Sequence, residues 1–150
     1  MKVCIASSAG GHLTELLQIK SVYEKYDHFF ITFKRKNSVE LAKNEKVYFV
    51  EDPSRNPFKL IKTLFQSFLI LLKERPKVII STGAGVAIPI IYLGKLLFRS
   101  RIVFIESFCR VSTPSLSGRL AYPIADKFYV QWEELLKAYG RKAEYKGAVI

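Results

Sequence analysis

Short apolar runs alternate along the chain with longer segments in which apolar residues recur at helical spacing. The short runs predict six β-strands, at Lys2–Ser7, Phe29–Phe33, Val47–Val50, Val78–Ser81, Ile102–Ile105 and Lys127–Val130. A helix is predicted from His12 to Tyr26, with Leu13 and Leu16 on its apolar stripe. Strands that alternate with helices are typical of parallel βαβ units. The pattern therefore predicts one Rossmann-like, doubly wound α/β domain over residues 1–150, with ligands at the carboxyl ends of its strands.

The segment from Phe58 to Leu72 is more apolar than a helix that only covers a sheet, with ten apolar residues among fifteen. At 1.5 Å per residue it spans about 22 Å, less than the roughly 30 Å hydrocarbon core of a bilayer, so a membrane-spanning helix is disfavoured. Flanking lysines favour a helix that lies in the membrane interface, and burial between the sheet and a neighbouring helix is the alternative. The residues expected to contact the membrane are Phe58, Leu60, Ile61, Leu64, Phe65, Phe68, Leu69 and Leu72.

Charge and composition narrow the classes of function. The hydrophobic content of 49% excludes disorder, and a net charge of +11 favours polyanionic partners such as lipid headgroups, phosphorylated substrates or nucleic acid. Cys4 and Cys109 lie too far apart for a CxxC motif and are expected to be reduced thiols, and neither a metal nor another cofactor is expected. Met1 leads directly into an apolar strand pattern without a charged leader or a cleavage site, so no signal peptide is expected.

Two glycine-containing loops follow predicted strands. The first, SSAGGHLTE, places Gly10 and Gly11 between a strand and a helix, where backbone amides can approach a phosphate. It matches neither the GxGxxG fingerprint nor a P-loop, and a tight turn that needs glycine is an equally good interpretation. His12 favours phosphate binding over a purely structural turn, because an imidazole at a helix start points toward a site. The second loop, STGAGVAIP, offers Gly83 and Gly85.

A third loop, IESFCRVSTPSLSGRL, follows the predicted strand Ile102–Ile105. Glu106 stands at the end of this strand, Arg110 can make a bidentate contact with an anion, and Ser115 is placed to begin the next helix. Carboxylates at strand ends are more often functional than those within helices. We therefore include Glu106 and Arg110 among the candidate site residues.

Together these motifs resemble one family along nearly the whole chain. GGH follows the first strand, STGAG precedes an apolar helix, and IESFCR is followed by SLSGRLAYPIADKFYVQW. The combination is similar to the membrane-binding subunit of two-subunit glycosyltransferases. These include the anchoring subunit for the second N-acetylglucosamine step of dolichol-linked glycan assembly, and bacterial relatives in capsular and exopolysaccharide synthesis. The family is similar in turn to the amino-terminal half of the peptidoglycan lipid-intermediate glycosyltransferase, a two-lobed GT-B enzyme.

The resemblance implies a fold, a reaction and a partner. The chain is expected to be the amino-terminal half of a GT-B glycosyltransferase that binds a polyprenyl-diphosphate-linked sugar. It would act as a peripheral protein on the cytoplasmic face of the membrane. A separate donor-binding subunit would form a heterodimer with it and hold most of the UDP-sugar, and the chain alone would be inactive. The chain stops near Lys146, about where the single-chain relative begins its interdomain linker, as a natural half-enzyme would. Unlike the eukaryotic subunits, it shows no transmembrane helix before the first strand, so attachment is expected from the apolar helices.

The resemblance also implies roles for single residues. Gly10, Gly11 and His12 would lie at the acceptor diphosphate, with Gly83 and Gly85 beside them. Glu106 matches the acidic residue that the single-chain relative presents to its acceptor, so His12 or Glu106 is the expected base. The second loop is poorer in glycine than that of the relative.

Three other functions are compatible with parts of the sequence. A non-catalytic membrane scaffold that recruits the catalytic partner would use the same apolar and basic surfaces. An NADP-binding protein would use Lys34, Arg35 and Lys36 for a 2′-phosphate, but the glycine fingerprint is incomplete. Nucleic-acid binding ranks last and no such partner is expected, since no basic and aromatic pattern of the usual modules is present.

Overall fold

Seven parallel strands form one sheet in the computed structural model, which describes residues 1–149. In chain order they are β1 (Lys2–Ser7), β2 (Asp27–Thr32), β3 (Val47–Phe49), β4 (Val78–Gly83), β5 (Arg101–Ile105), β6 (Lys127–Val130) and β7 (Ala143–Tyr145). Their spatial order is β3-β2-β1-β4-β5-β6-β7. The direction of winding reverses between β1 and β4, and ligands of such sheets bind outside the carboxyl ends of the strands at this switch point.

Helices cover both faces of the sheet, which confirms the predicted doubly wound α/β fold. They are α1 (Gly11–Gln18), α2 (Lys20–Tyr23), α3 (Lys36–Leu41), α4 (Pro57–Glu74), α5 (Ala87–Phe98), α6 (Leu116–Ala121) and α7 (Leu135–Tyr139). Strand β1 shows the two-sided packing: Val3 and Ile5 join the core with α1 and α2, whereas Cys4 and Ala6 join the core with α4 to α7. Because successive side chains of a strand point to opposite faces, both faces of a central strand must be apolar.

All six predicted strands are present, with ends shifted by a few residues. Strand β7 and the short helices α3 and α7 were missed. Strand β7 reads Ala-Glu-Tyr over three residues and therefore carries no apolar run to detect. Cys4 is buried and Cys109 exposed, and both thiols are free.

The predicted helix from His12 to Tyr26 is wrong as one element, because it divides at Ile19 into α1 and α2. The backbone carbonyl of Leu16 accepts hydrogen bonds from the Tyr23 hydroxyl at 3.1 Å and from the Ile19 amide at 3.3 Å. A continuous helix would give this carbonyl to the amide four residues on. The buried tyrosine therefore ends α1 while remaining on the apolar stripe.

Helix α4 begins with a strong local signal. The Asn56 side chain accepts hydrogen bonds from the amides of Phe58 at 3.0 Å and Lys59 at 3.4 Å, and Pro57 occupies the first helical position. The residues that α4 buries are Thr63, Ser67, Leu71 and Glu74. The face of this helix toward the sheet is thus largely polar, and most of its apolar residues face outward.

A buried ion cluster fixes the end of α4. The Glu74 carboxylate contacts the ammonium groups of Lys2 at 2.8 Å and Lys46 at 2.6 Å, and it accepts a hydrogen bond from the Tyr48 hydroxyl. Burial by itself raises the pKa of Glu74, but the hydrogen bonds from Lys2, Lys46 and Tyr48 outweigh it and lower the pKa to about 2. The cluster joins α4 to β1 and β3.

Glu74→Gln is expected to lower the free energy of unfolding at pH 7 by roughly 1–3 kcal/mol, because it weakens charge-assisted hydrogen bonds to a buried group. Since folding lowers the pKa of this carboxyl, its contribution is complete above about pH 4.5 and is lost as the pH falls toward 2. The difference between wild type and variant should therefore shrink over that interval in urea titrations followed by circular dichroism. Glu40→Gln, at an exposed pair with Lys43, is the control and should change stability by less than about 0.5 kcal/mol. A difference that persists unchanged at pH 3 would contradict this account.

Candidate functional site

A cleft of about 830 Å³ lies at the carboxyl edge of the sheet, beside the switch point between β1 and β4. It is bounded by the start of α1, the loop before α4, the loop after β4 and the long loop between β5 and α6. Of the residues predicted for the site, it brings together His12, Gly85 and Arg110, and two predicted membrane residues, Leu60 and Leu64, line it as well. This volume is typical of small-molecule sites.

His12 borders the cleft at the second residue of α1. Its Nδ1 is buried and has no hydrogen-bond partner among residues 1–149. Its backbone carbonyl accepts a hydrogen bond from the Thr82 hydroxyl at 2.9 Å, which ties α1 to the end of β4. Because Nδ1 is shielded from solvent, the imidazole can contact a ligand only through the part of the ring that borders the cleft.

The first glycine loop offers fewer free amides than the sequence indicates. The Gly10 amide donates to the Asn37 side chain at 3.2 Å, and the Asn37 amide group donates back to the Gly10 carbonyl at 3.1 Å. Gly10 lies in a separate depression with Arg35 and Lys36 rather than in the cleft. Gly11 is exposed and begins α1, where no side chain caps the helix. Free amides for an anion therefore start at Gly11.

In the second glycine loop, Gly83 is required by packing, whereas Gly85 lines the cleft. The Gly83 amide donates to Ser81 Oγ at 3.0 Å, and a Cβ at Gly83 would meet Ser117 Oγ at 2.7 Å. The φ of Gly83 is +102°, a conformation that favours glycine, and the close approach of α6 to β4 leaves no room for a side chain at this position. Gly85 is exposed and lines the cleft.

Three residues with left-handed backbone conformations also line the cleft: Ser54 (φ 41°), Arg55 (φ 60°) and Ala84 (φ 71°). Residues without glycine's freedom hold such conformations only where the surrounding structure imposes them, and such residues concentrate at functional sites. Arg55 is exposed and lines the same cleft as Arg110. The prediction named Arg110 but missed Arg55, because the loop before α4 read only as a turn.

Glu106 lies behind the cleft, only 1% exposed. Its Oε1 accepts from the Ser107 amide at 3.0 Å and from Ser115 Oγ at 2.7 Å, and its Oε2 accepts from the Ser115 amide at 3.0 Å and from the Tyr139 hydroxyl. Burial and this carboxylate both raise the pKa of Tyr139. The predicted start of a helix at Ser115 is confirmed, since Ser115 Oγ also accepts from the Gly118 amide at 2.9 Å.

This arrangement does not support the expectation that Glu106 is the base. A base must reach the proton it removes, whereas both oxygens of Glu106 are occupied by donors inside the protein. The carboxylate instead holds the start of α6 and the loop that carries Arg110 in fixed positions. We therefore treat Glu106 as a positioning residue.

A second positioning residue, Glu15, was missed. It lies one turn after His12, and its Oε1 accepts from Ser107 Oγ at 3.0 Å and from the Phe108 amide at 3.2 Å. Its Oε2 accepts from the Gln131 side chain at 3.2 Å. Glu15 thereby fixes the helix of His12 against the loop of Arg110. In the sequence, the only indication of this role was that Glu15 follows His12 within GHLTE, on the predicted helix that begins at His12.

The eight predicted membrane residues divide into three groups. Phe58, Ile61, Phe65, Leu69 and Leu72 are between 42% and 83% exposed on the outer side of α4, and we name them the outer face. Leu60 is 40% exposed and lines the cleft with Leu64. Phe68 is half-buried against the ring of Phe98 on α5. The alternative that α4 is buried between the sheet and another helix is wrong for the outer face.

Glu106→Gln is expected to lower the free energy of unfolding by roughly 1–3 kcal/mol, because one carboxylate oxygen becomes an NH₂ group that faces another donor. His12→Ala should leave stability nearly unchanged, since the imidazole Nδ1 has no partner among residues 1–149. Urea unfolding of both variants, with the exposed Glu133→Gln as control, checks the contrast. Wild-type stability of Glu106→Gln would contradict the positioning role.

Comparison with known proteins was made on sequence and on structure. The family described as "Oligosaccharide biosynthesis protein Alg14 like" matches residues 48–149. Proteins named "UDP-N-acetylglucosamine transferase subunit ALG14" are similar to this chain. That of Candida albicans is 46% identical over 99 residues, or 60% of this chain and 45% of the relative. That of Homo sapiens is 26% identical over 181 residues, or 100% of this chain and 83% of the relative. The chain spans about half the length of the Candida relative.

Among solved structures, MurG of Acinetobacter baumannii superposes with a TM-score of 0.79 at 13% identity, covering 99% of this chain and 46% of that chain. The UDP-GlcNAc 2-epimerase of Methanocaldococcus jannaschii gives a TM-score of 0.75 at 19% identity, covering 99% of this chain and 46% of that chain. At these identities the likeness shows the fold alone. It confirms the predicted Rossmann-like half of a GT-B architecture. Because the family match extends over more than half of its residues, this chain belongs to the Alg14-like family of oligosaccharide biosynthesis proteins.

Proposed function

We propose that this chain is the acceptor-binding, membrane-associating subunit of a bipartite glycosyltransferase that transfers a sugar from a UDP-sugar to a polyprenyl-diphosphate-linked sugar. UDP-N-acetylglucosamine is the first donor to test, since the relatives are named as subunits of a transferase for that sugar. The product would serve the synthesis of lipid-linked oligosaccharide, capsule or exopolysaccharide. Membership of the oligosaccharide biosynthesis family supports the reaction class.

The observation that carries the proposal is the position of the His12 imidazole. The imidazole lines the cleft at the carboxyl edge of the sheet, and the same cleft presents Arg55 and Arg110. The amide of Gly11 opens α1 beside it, at the positive end of the helix. Cationic side chains and helix-start amides are the groups that bind a diphosphate.

The reaction is a direct displacement. The acceptor hydroxyl forms a bond to the anomeric carbon of the donor while the bond from that carbon to the UDP oxygen breaks, so the configuration inverts. The hydroxyl loses its proton and UDP leaves as the anion. His12 either takes this proton or holds the acceptor diphosphate, and both tasks require the imidazole to touch the acceptor.

The donor would be bound mainly by a partner subunit. One Rossmann-like sheet fills the described residues, and the cleft lies at the carboxyl edge of that sheet, the edge at which the second lobe of a GT-B enzyme would lie. The word "subunit" in the names of the relatives agrees with a partner. In the proposed heterodimer, this chain supplies the acceptor and its partner supplies the UDP-sugar.

The outer face of α4 would hold the protein on the cytoplasmic face of the membrane. No helix among residues 1–149 is both long and apolar enough to cross a bilayer. Phe58 is 83% exposed, and Ile61 and Phe65 are each 63% exposed. Lys59, Lys62 and the other basic residues beside them fit anionic headgroups. Such a large apolar patch is typical of an interaction surface.

Transfer from UDP-N-acetylglucosamine to a lipid-diphosphate-linked sugar tests the proposal. The purified chain alone is expected to give no turnover, and activity should appear when the donor-binding subunit is added. His12→Ala in the reconstituted pair should reduce kcat/KM by about 10²–10⁴-fold if the imidazole transfers the proton. His12→Asn separates the two roles, because an amide can hydrogen-bond the diphosphate but cannot take the proton. Recovery of activity in His12→Asn would indicate diphosphate binding.

Two results would contradict the proposal. Steady turnover by the chain alone would exclude a split enzyme. Wild-type rates in His12→Ala would remove His12 from the site and favour the non-catalytic scaffold. His28→Ala is the matched control, since His28 belongs to β2, is bonded to Glu45 at 3.0 Å and does not line the cleft, so kcat/KM should stay unchanged.

Phe65→Glu combined with Leu69→Glu is expected to weaken binding to vesicles of phosphatidylglycerol and phosphatidylcholine by at least about tenfold. Each large side chain loses roughly 1 kcal/mol or more of interfacial burial, and each new carboxylate repels the anionic surface. Liposome flotation measures the bound fraction. Val22→Glu with Val39→Glu alters two side chains of similar exposure on α2 and α3 and should bind as wild type. An unchanged bound fraction in the α4 variant, with circular dichroism showing it folded, would assign the outer face to a partner.

A further inference from the structure

The cleft has two chemically different ends. The polar end holds His12, Ser107, Arg110 and Ser117. The other end is a wall of six apolar residues from three helices, which we name the leucine wall: Leu60 and Leu64 of α4, Ile88 and Tyr92 of α5, and Leu116 and Leu120 of α6. Asp52, whose Oδ1 accepts from the Ser54 amide at 3.2 Å, is the acidic residue at its border.

The leucine wall borders the hydrophobic core, against which Ile88 and Tyr92 pack, but its leucines of α4 and α6 lie outside that core. Leu116 is 73% exposed, Leu120 is 42% exposed and Leu60 is 40% exposed. The hydroxyl of Tyr92 donates to the Leu120 carbonyl at 2.6 Å, so the protein already occupies the polar group of this tyrosine. Three helices therefore converge to leave apolar surface in water, which is unfavourable unless a ligand covers it.

The two ends together define the ligand. A diphosphate satisfies His12 and Arg110 but cannot cover the leucine wall, and a volume of about 830 Å³ is larger than a diphosphate requires. A nucleotide sugar offers only the faces of its base and sugar rings as apolar surface, far less than a hydrocarbon chain would bury against six apolar side chains. An anionic head that continues into a hydrocarbon chain satisfies both ends at once.

We propose that the leucine wall is a binding subsite for the first isoprene units of the lipid, next to the diphosphate. This inference rests on the proposed function, which places the acceptor diphosphate at His12. The subsite makes the chain selective for the lipid itself, whereas the outer face of α4 binds any suitable membrane surface.

Helix α4 connects the two surfaces. Leu60 and Leu64 line the cleft, and the next residue in each case, Ile61 and Phe65, belongs to the outer face. Successive residues of a helix are rotated by 100°, so the two stripes adjoin along one helix. A prenyl chain can pass from the membrane around α4 to the polar end of the cleft without exposing its hydrocarbon to water.

Farnesyl diphosphate, a soluble diphosphate with three isoprene units, tests the subsite on the isolated chain by isothermal titration calorimetry without membranes. It should bind at least about tenfold more tightly than inorganic pyrophosphate, because two buried methylene groups already give a factor of that size. Leu64→Asn and Leu120→Asn should each remove most of this advantage and leave pyrophosphate affinity unchanged. Ile61→Asn and Phe65→Asn, on the outer face, are the matched controls and should keep it.

Every other result contradicts the subsite, but the results have different consequences for the proposed diphosphate site. Equal affinities for farnesyl diphosphate and pyrophosphate refute the subsite but retain the diphosphate site. Binding of neither refutes the acceptor site of the proposed function as well. Dodecyl phosphate that binds as tightly, with the same loss in Leu120→Asn, indicates a general lipid-phosphate site. Wall variants that bind farnesyl diphosphate normally but no longer bind the donor subunit assign the wall to that protein.

Discussion

The rotation of helix α4 about its own axis determines most of the functional surface of this protein. The helix faces the sheet with Thr63, Ser67 and Glu74, and each end is fixed by polar contacts. Thr63 Oγ donates to the Glu51 carbonyl at 2.7 Å near the start, and Glu74 binds Lys2 and Lys46 at the end. Buried hydrogen bonds and ion pairs are directional, so they specify a rotation that apolar packing alone would not specify.

The consequence of that rotation is an unusual distribution of apolar surface. A helix that packed its largest side chains inward would leave a polar exterior and no wall for the cleft. In this protein the buried ion cluster at Glu74 turns Phe65 outward and places Leu60 and Leu64 at the cleft. Both the proposed membrane contact and the proposed lipid subsite therefore depend on a salt bridge that lies at the opposite edge of the sheet from the cleft.

The sequence predicted the sheet well because buried parallel strands leave a strong local pattern of apolar runs. It also located His12, Gly85 and Arg110, since residues after strands in such a fold converge on one edge. It could not predict which stripe of α4 faces inward, because Thr63 and Ser67 look like ordinary solvent-facing residues until the partners of α4 are known. The positioning role of Glu106 could not be predicted from the sequence either, since two of its hydrogen-bond partners, Ser115 and Tyr139, lie 9 and 33 residues away.

The length of α4 constrains how membrane and acceptor can be bound together. Its 18 residues extend over about 27 Å, from Pro57, two residues after Arg55 of the cleft, to Glu74 at the amino edge of the sheet. Under the proposed function, a membrane that contacts Phe58, Ile61 and Phe65 lies along the half of the helix nearest the cleft. The mouth of the cleft then opens at the level of the headgroups, where the lipid diphosphate itself resides. In that orientation, the proposed subunit would need to raise only the diphosphate and sugar of its acceptor out of the membrane, because the prenyl chain could stay on the apolar residues of α4.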